Sequence, residues 1–417
     1  MRTLTDERAA VDCVPGEWDR GGLPPWTYRS DELTEVEKDV LFRRHWQLAC
    51  HVSDVAEPGD YVAFDVAGER ALVLRDGDGR VRAFHNLCRH RGSRVVARSR
   101  GRCDRMITCP FHGWRYNLDG TLRGPAFPDR LPKLDRMEYG LKPVEVDIWM
   151  GFVFVRFLPG DQPAVSQVLA RHDAEVAPYA THAMVPAAGD FWTLELAVNW
   201  KAVRDVDNEG YHVHEAHPGL RELYGRNYYD EPLTDGTSRS FGEFTERPGL
   251  LWSVRHYKKI LPERAELPVS HRRAWLYVGL FPNTVIAFYP DSTLFYQEYP
   301  LDARRTMQRG ATYRYPVESR ELRLSRYLSG RIDRYTGRED TRLIEWTWEA
   351  MESSAFDGIV LSDLEYGVRA YHDAFRAAVP VMTLRHAPAR GTVAETNRRM
   401  SRSIAATPKP AAASAAG

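Results

Sequence analysis

The sequence predicts an α+β fold, with a small antiparallel β unit set near the N-terminus of a larger mixed unit. Three observations lead there. Residues 58–87 break into short runs that alternate apolar and polar side chains. Helical spacing is confined to segments before and well after them. At 417 residues the chain is too long for one ordinary core, so length favours two units.

Taken in order, residues 31–46 place Leu33, Val36, Val40, Leu41 and Trp46 at helical spacing, with acids early and arginines late as the helix dipole favours. From 58 the runs YVAFDV, ALVLRD and VRAFHNL read as strands, and Asp76-Gly77-Asp78-Gly79 as the turn joining two of them. This β unit is expected to continue to about 158. Residues 160–188 read as linker and helix, followed by strand-like runs at 190–197, 274–281 and 284–289. Helical spacing returns at 199–216, where acids and histidines cluster, and at 338–375. The last residues are of low complexity. The expected division is an N-terminal helical segment over 1–45 packing with the larger unit, the β unit over 46–158, the larger unit over 159–395 and a disordered tail over 396–417. No internal repeat is visible.

Composition narrows the partners. Lys+Arg and Asp+Glu both number 57, so no global basic field points to nucleic acid or an anionic membrane. No apolar run approaches a membrane span, and the first thirty residues hold acids, prolines and tryptophans where a secretory stretch would sit. A soluble, cytoplasmic protein is expected. Five cysteines (Cys13, Cys50, Cys88, Cys103 and Cys109) are too few and too odd in number for a disulfide framework, which points to metal.

Cys88-Arg89-His90 and Cys109-Pro110-Phe111-His112 give C-x-H, eighteen intervening residues, then C-x-x-H. Two loops on a β scaffold can gather two thiolates and two imidazoles. Such a set suits either a structural zinc or a [2Fe–2S] cluster with both cysteines on one iron and both histidines on the other. Cys103 fits no ligand position and reads as a free, buried cysteine.

Residues 204–218, RDVDNEGYHVHEAHP, hold three histidines and four acids. His214 and His217 are one residue short of H-E-x-x-H, so a zincin helix is excluded. Glu209-Gly210-Tyr211-His212 is a single E-x-x-H without a second copy, which disfavours a di-iron bundle. A mononuclear iron held by two histidines and a carboxylate remains.

With Arg91-Gly92 after the first pair and Gly113-Trp114 after the second, the cysteine–histidine motif resembles that of the Rieske ring-hydroxylating oxygenases, C-x-H-R-G and C-P-(Y/F)-H-G-W. Asn199-Trp200-Lys201 followed by Glu209-x-x-His212 and His217-Pro218 resembles the catalytic motif of the same family. The resemblance covers roughly residues 25–390. It implies a Rieske domain inserted in a helix-grip-like catalytic domain, with a [2Fe–2S] cluster on Cys88, His90, Cys109 and His112 and Fe(2+) on His212 and His217. His214 is left to a surface or outer role. The third iron ligand is expected at Asp357, where Asp357 to Gly367 resembles the family's D-x-x-(apolar)-x-x-x-x-Q-x-G, with Glu365 in place of the glutamine and Asp363 as the competing acid.

The resemblance further implies a homotrimer in which Glu209 bridges the two sites across a subunit boundary, with Asp205 and Asp207 as alternatives. Glutamate here, rather than aspartate, looks like the branch that oxidises carnitine, glycine betaine and related quaternary amines. No dinucleotide fingerprint is present, so electrons are expected from a separate NAD(P)H-dependent reductase, with or without a ferredoxin. O2 and a small organic substrate are the other partners. Candidate pocket aromatics are Trp252, Tyr257, Tyr277, Phe281, Phe288, Tyr289, Phe295 and Tyr296. Aromatic ring hydroxylation is the alternative chemistry, and a zinc-stabilised binding module the alternative class.

Overall fold

Strands β1 (Gln47–His51), β2 (Asp60–Val66), β3 (Glu69–Arg75), β4 (Val81–His85) and β5 (Arg100–Arg102) open the β unit, in a computed structural model that describes residues 14–187 and 191–406. β4-β3-β2-β5 form one antiparallel sheet. The expected turn joins β3 to β4: the Asp76 carboxylate accepts the backbone N–H groups of Asp78 and Arg80, each at 2.9 Å. β6 (Met106–Thr108), β7 (Arg115–Asn117) and β8 (Leu122–Gly124) form a second small sheet. β9 (Glu145–Trp149) and β10 (Phe152–Arg156) pair with β1 in a third.

The larger unit is an eight-stranded antiparallel sheet of β11 (Val185–Pro186), β12 (Trp192–Leu196), β13 (Tyr228–Thr234), β14 (Thr237–Glu243), β15 (Ala274–Leu280), β16 (Thr284–Phe288), β17 (Thr293–Asp302) and β18 (Arg305–Arg314). Strand alternation gives it two faces. Leu276, Ile286, Phe288 and Phe295 pack on one side against Phe152 and Phe154 of β10, so the sheet of β1, β10 and β9 backs the larger sheet. Trp275, Tyr277 and Leu294 face the other side, towards the helices.

Helix α1 (Asp31–Glu37) is capped by Ser30, whose Oγ accepts the Leu33 N–H at 3.1 Å, and continues as a π turn to Phe42 before the chain enters β1. After β12 come α2 (Trp200–Asp207), α3 (Val213–Ala216) and α4 (Pro218–Tyr224), in place of one continuous helix over 199–216. α5 (Trp252–Ile260) precedes β15; α6 (Arg320–Ala350), α7 (Tyr366–Ala378) and α8 (Val393–Ala406) follow β18.

Two readings are corrected. The long helical pattern expected at 338–375 is two helices: α6 begins at Arg320, and residues 351–365 separate it from α7. Two inward positions of the first half of α6 are serines, Ser325 and Ser329, which blur the apolar stripe in the sequence. The tail expected to be disordered from 396 is helical to Ala406, because Asn397 is buried and accepts the Val381 N–H at 3.2 Å. Residues 1–13, 188–190 and 407–417 lie outside the described residues, as therefore do Cys13 and the last part of the tail. Among the described residues no helix is long and apolar enough to cross a membrane.

Candidate metal centres

Cys88 follows β4 and Cys109 follows β6, and the two loops share one geometry. Gly92 N–H bonds back to Cys88 O at 2.9 Å, and Gly113 N–H to Cys109 O at 3.1 Å. Each loop thus closes on a glycine in the left-handed region, φ +75° and +65°. The loops place the two cysteines inward and the two histidines outward. Cys88 and Cys109 are buried at 2% exposure each, whereas His90 and His112 are exposed, with ring centroids 4.7 Å apart. His90 stacks on Trp114.

Burial pushes the Cys88 thiol up, against hydrogen bonds from Tyr116 Oη and the His90 N–H that favour a thiolate. Arg89 N–H donates to Tyr116 Oη at 3.0 Å, which turns the phenol hydrogen towards Cys88 Sγ at 3.2 Å. These donors suit a sulfur that carries negative charge. A tetrahedral zinc, about 2.0–2.3 Å from each ligand, would draw all four donor atoms close around one point. Among the described residues only His212, His217 and Asp340 converge on a single ion-sized point. Two buried thiols on one side and two exposed imidazoles on the other fit a cluster with separate cysteine and histidine ends.

At the second site His212 Nε2 and His217 Nε2 are 3.1 Å apart, and Asp340 Oδ1 lies 3.5 Å from the first and 2.9 Å from the second. Each imidazole turns its other nitrogen to a glutamate: His212 Nδ1 to Glu209 Oε1 at 2.5 Å, His217 Nδ1 to Glu339 Oε2 at 2.9 Å. Nδ1–H donated to a carboxylate leaves an Nε2 lone pair for a metal. Burial would lower the His212 pKa, but Asp340 and Glu209 raise it to about 10. Burial likewise opposes the charge on His217, and Asp340 and Glu339 raise it. Burial alone would raise the Asp340 carboxyl, yet hydrogen bonds from His212 and His217 hold it below its ordinary value. Three carboxylates around two imidazoles call for positive charge at their centre, and two nitrogens and one oxygen are the donor set of a mononuclear iron site.

The motif residues act from behind. Asn199 caps α2, its Oδ1 accepting the Lys201 N–H at 3.1 Å. Trp200 Nε1 and Lys201 Nζ both reach Glu37 of α1, at 2.8 and 2.5 Å, in a fully buried ion pair. α2 is thereby locked to the N-terminal segment. His217 ends α3 and precedes Pro218 at the start of α4, so the break between the helices sets the angle between His212 and His217.

Asp357 is not brought to the histidines. It is exposed in the segment between α6 and α7, and Asp340, inside α6, stands in the position expected of it. The competing Asp363 is exposed as well, held by Arg20 at 2.7 Å and the Trp18 indole at 3.0 Å. Glu365 closes the short 3-10 turn Asp363–Glu365, just before α7, by accepting the Ser362 N–H. The matching glycine does have a role here: a Cβ on Gly367 would come within 2.1 Å of Asn208 O, directly before Glu209. Asp340 stands four residues before the buried Ile344 and eight after the buried Ile332. An acid on that inward stripe was the available signal.

The other candidates separate. His214 is exposed beside Glu215. Asp205 accepts from Tyr28 at 2.6 Å and contacts His372 at 2.8 Å, while Asp207 faces Arg204 and Tyr296, so Glu209 is the acid on His212. Cys103 is free as expected but only half-buried, not buried. Of the eight aromatic candidates, Phe288 and Phe295 belong to the far side of the sheet, Phe281 to another core cluster, and Trp252 is exposed. Tyr277, Tyr289 and Tyr296 remain near the helices that carry the triad. Tyr257 is buried beneath them, its hydroxyl on Asp291.

Comparison with known proteins assigns a family model to each of the two units. Residues 45–135 match the Rieske [2Fe-2S] domain, and residues 187–380 match the catalytic domain of the ring hydroxylating alpha subunit. The chain is 32% identical over 213 residues to the glycine betaine monooxygenase oxygenase subunit of Pseudomonas aeruginosa (strain UCBPP-PA14), a match over 51% of this chain and 48% of that protein. It thus spans about half the length of that relative. It is 28% identical over 363 residues to the carnitine monooxygenase oxygenase subunit of Acinetobacter pittii (strain PHEA-2), covering 84% of this chain and 92% of that one. The fold is similar to that of the quaternary ammonium Rieske monooxygenase CntA in complex with L-carnitine, at TM-score 0.69 and 23% identity, over 86% of this chain and 95% of the other. It is also similar to naphthalene 1,2-dioxygenase with indole bound, at TM-score 0.68 and 19% identity, over 93% and 97%.

Proposed function

Because the chain belongs to the Rieske oxygenases, joining a Rieske [2Fe–2S] domain to the catalytic domain of a ring-hydroxylating alpha subunit, we propose that it is a terminal oxygenase that oxidises a quaternary or otherwise methylated amine. The observation that carries the amine reading is Glu209, a glutamate where most ring hydroxylases have aspartate, set 2.5 Å from His212 Nδ1. The carnitine and glycine betaine relatives point the same way.

Cys88, Cys109, His90 and His112 would hold the cluster, and His212, His217 and Asp340 the iron. A bound iron with three protein donors keeps open positions for O2, and the cluster delivers electrons one at a time. In this reading an N–CH3 carbon gains one oxygen atom from O2, while two electrons and two protons reduce the other to water. The N–CH2OH product then releases formaldehyde and the demethylated amine. Glu209 fixes the His212 ring and Glu339 the His217 ring. The faces of Tyr277 and Tyr296 suit a methylated ammonium through cation–π attraction of about 0.5–2 kcal/mol per contact.

Electrons would come from a separate NAD(P)H-dependent reductase, with or without a ferredoxin. We take the protein to act in the cytoplasm as a homotrimer, Glu209 joining His212 to the partner subunit's His112. The outward position of the histidine pair supports such an exchange. A division at about 46–158 and 159–395 goes with this reading.

A single turnover tests it. Anaerobically reduced, iron-loaded protein is mixed with O2 and either a quaternary amine or an aromatic carboxylate. Reoxidation of the cluster and release of aldehyde with the amine are expected; coupling to the aromatic acid alone would replace the reading with ring hydroxylation.

A further inference from the structure

A buried arginine stands behind Glu209, and the chemistry above does not use it. Arg204 lies on α2, and its guanidinium reaches two ways. Nη1 donates to Glu298 Oε1 of β17 at 2.8 Å and approaches Asp207 Oδ2 at 3.4 Å, while Nη2 donates to Asn208 Oδ1 at 2.9 Å. The guanidinium carbon also lies 5.3 Å from the ring centroid of Tyr371 on α7. One side chain thus ties the end of α2 to the sheet and to α7.

The residue it holds is the one before Glu209. Asn208 ends α2 with φ −101° and ψ 11°, so the chain leaves the helix there and turns towards α3. Glu209 sits in that turn with both carboxylate oxygens on His212: Oε2 accepts the backbone N–H at 3.1 Å and Oε1 faces Nδ1. The turn is gripped on its other sides as well. Gly367 of α7 lies against Asn208 O, and a Cβ on Gly210 would come within 2.3 Å of the Tyr228 ring of β13. The grip on the Asn208 side chain comes from a charge.

Burying that charge is costly. Arg204 and Glu298 are both buried, and burial pushes the Glu298 carboxyl up against the pull of Arg204. Apolar side chains would join α2 to β17 at least as firmly. They could not hold a polar side chain in the turn, whereas the planar fork of an arginine serves the sheet with one arm and Asn208 with the other.

We propose that Arg204 is a positioning residue for Glu209. Through Asn208 it fixes the turn so that the Glu209 carboxylate stays on His212, and it thereby sets the rate at which electrons pass from the cluster to the iron. The proposal rests on the reading of Glu209 as the bridge between the two sites, and it names the residue that holds the bridge in place.

The test is a double-variant cycle of Asn208→Ala and Glu209→Gln in the full-length protein. Substrate-driven reoxidation of the cluster is followed at varied substrate concentration, together with Fe(II) bound per chain and amide hydrogen exchange over residues 208–217. Asn208→Ala is expected to slow reoxidation about 3–10-fold, the weight of one net hydrogen bond, at unchanged KM and iron content. Exchange at the His212 amide should quicken. The double variant should be no slower than Glu209→Gln alone, because both changes act on the same carboxylate. A general structural loss would instead multiply the two effects and lower the iron content. Arg204→Lys, which keeps the charge beside Glu298 and lacks a second arm for Asn208, should repeat the result, so the test does not depend on one variant folding. Slow reoxidation in Glu209→Gln with an unaltered rate in both Asn208→Ala and Arg204→Lys, or multiplied effects in the double variant, overturns the proposal and leaves the bridge intact. A normal rate in Glu209→Gln itself removes the bridge and this proposal with it.

Discussion

The cysteine–histidine loops and the histidine–carboxylate site hold their donors by opposite means. In the loops, all four donors lie within twenty-five residues, and two backbone turns set them. In the triad, the backbone contributes only the break between α3 and α4; the third donor arrives on α6, more than a hundred residues after His217. The outward-facing histidines suit electron exchange at the surface, and the triad is held among carboxylates that orient it. The lesson is that the first site depends on local chain geometry and the second on how helices pack.

The largest expected effect separates the two sites outright. Cys109→Ser should abolish the visible spectrum of the cluster while the protein still binds one iron at the triad; loss of both metals would mean that the sites do not fold independently. Glu209→Gln comes next. It should retain both metal centres and slow substrate-driven reoxidation of the cluster by about 10–100-fold, the usual range for a partner of a metal-bound histidine. Normal reoxidation would remove Glu209 from the electron route.

Glu339→Gln should act more mildly, because this side chain is 35% exposed where Glu209 is 9% exposed, and water can take its place on His217. Iron affinity should fall, about tenfold at most, with the cluster spectrum unchanged and turnover restored by added Fe(II). The smallest effect is expected from Tyr116→Phe. The cluster should still assemble, at a lower reduction potential, since a hydrogen bond to sulfur stabilises the reduced state. An unchanged potential would show that the phenol does not serve the cluster.

This contrast also explains what was legible in the sequence. Strand alternation over 58–87 and the turn at Asp76–Gly79 correspond to β2, β3 and β4, because both are local patterns. Cys88, His90, Cys109 and His112 stand on two short loops, where motif and geometry coincide. Glu209, His212 and His217 came from the family resemblance and not from periodicity; they lie within nine residues, and the break between α3 and α4 brings the two rings together. The third donor was not legible: Asp357 sits in a segment that matches a family pattern, but the carboxylate that meets the histidines is Asp340, and only the packing of α6 brings it there. The serines on the inward side of α6 hid the start of that helix, and the tail carries too little apolar character to announce α8.

The most direct test of the account is an iron titration of two variants side by side, Asp340→Ala and Asp357→Ala, reading Fe(II) bound per chain and the cluster spectrum in each. Asp340→Ala should lose the mononuclear iron and keep the cluster, and Asp357→Ala should bind iron as the unaltered protein does. Full iron binding in Asp340→Ala, with loss in Asp357→Ala, would contradict the site described above.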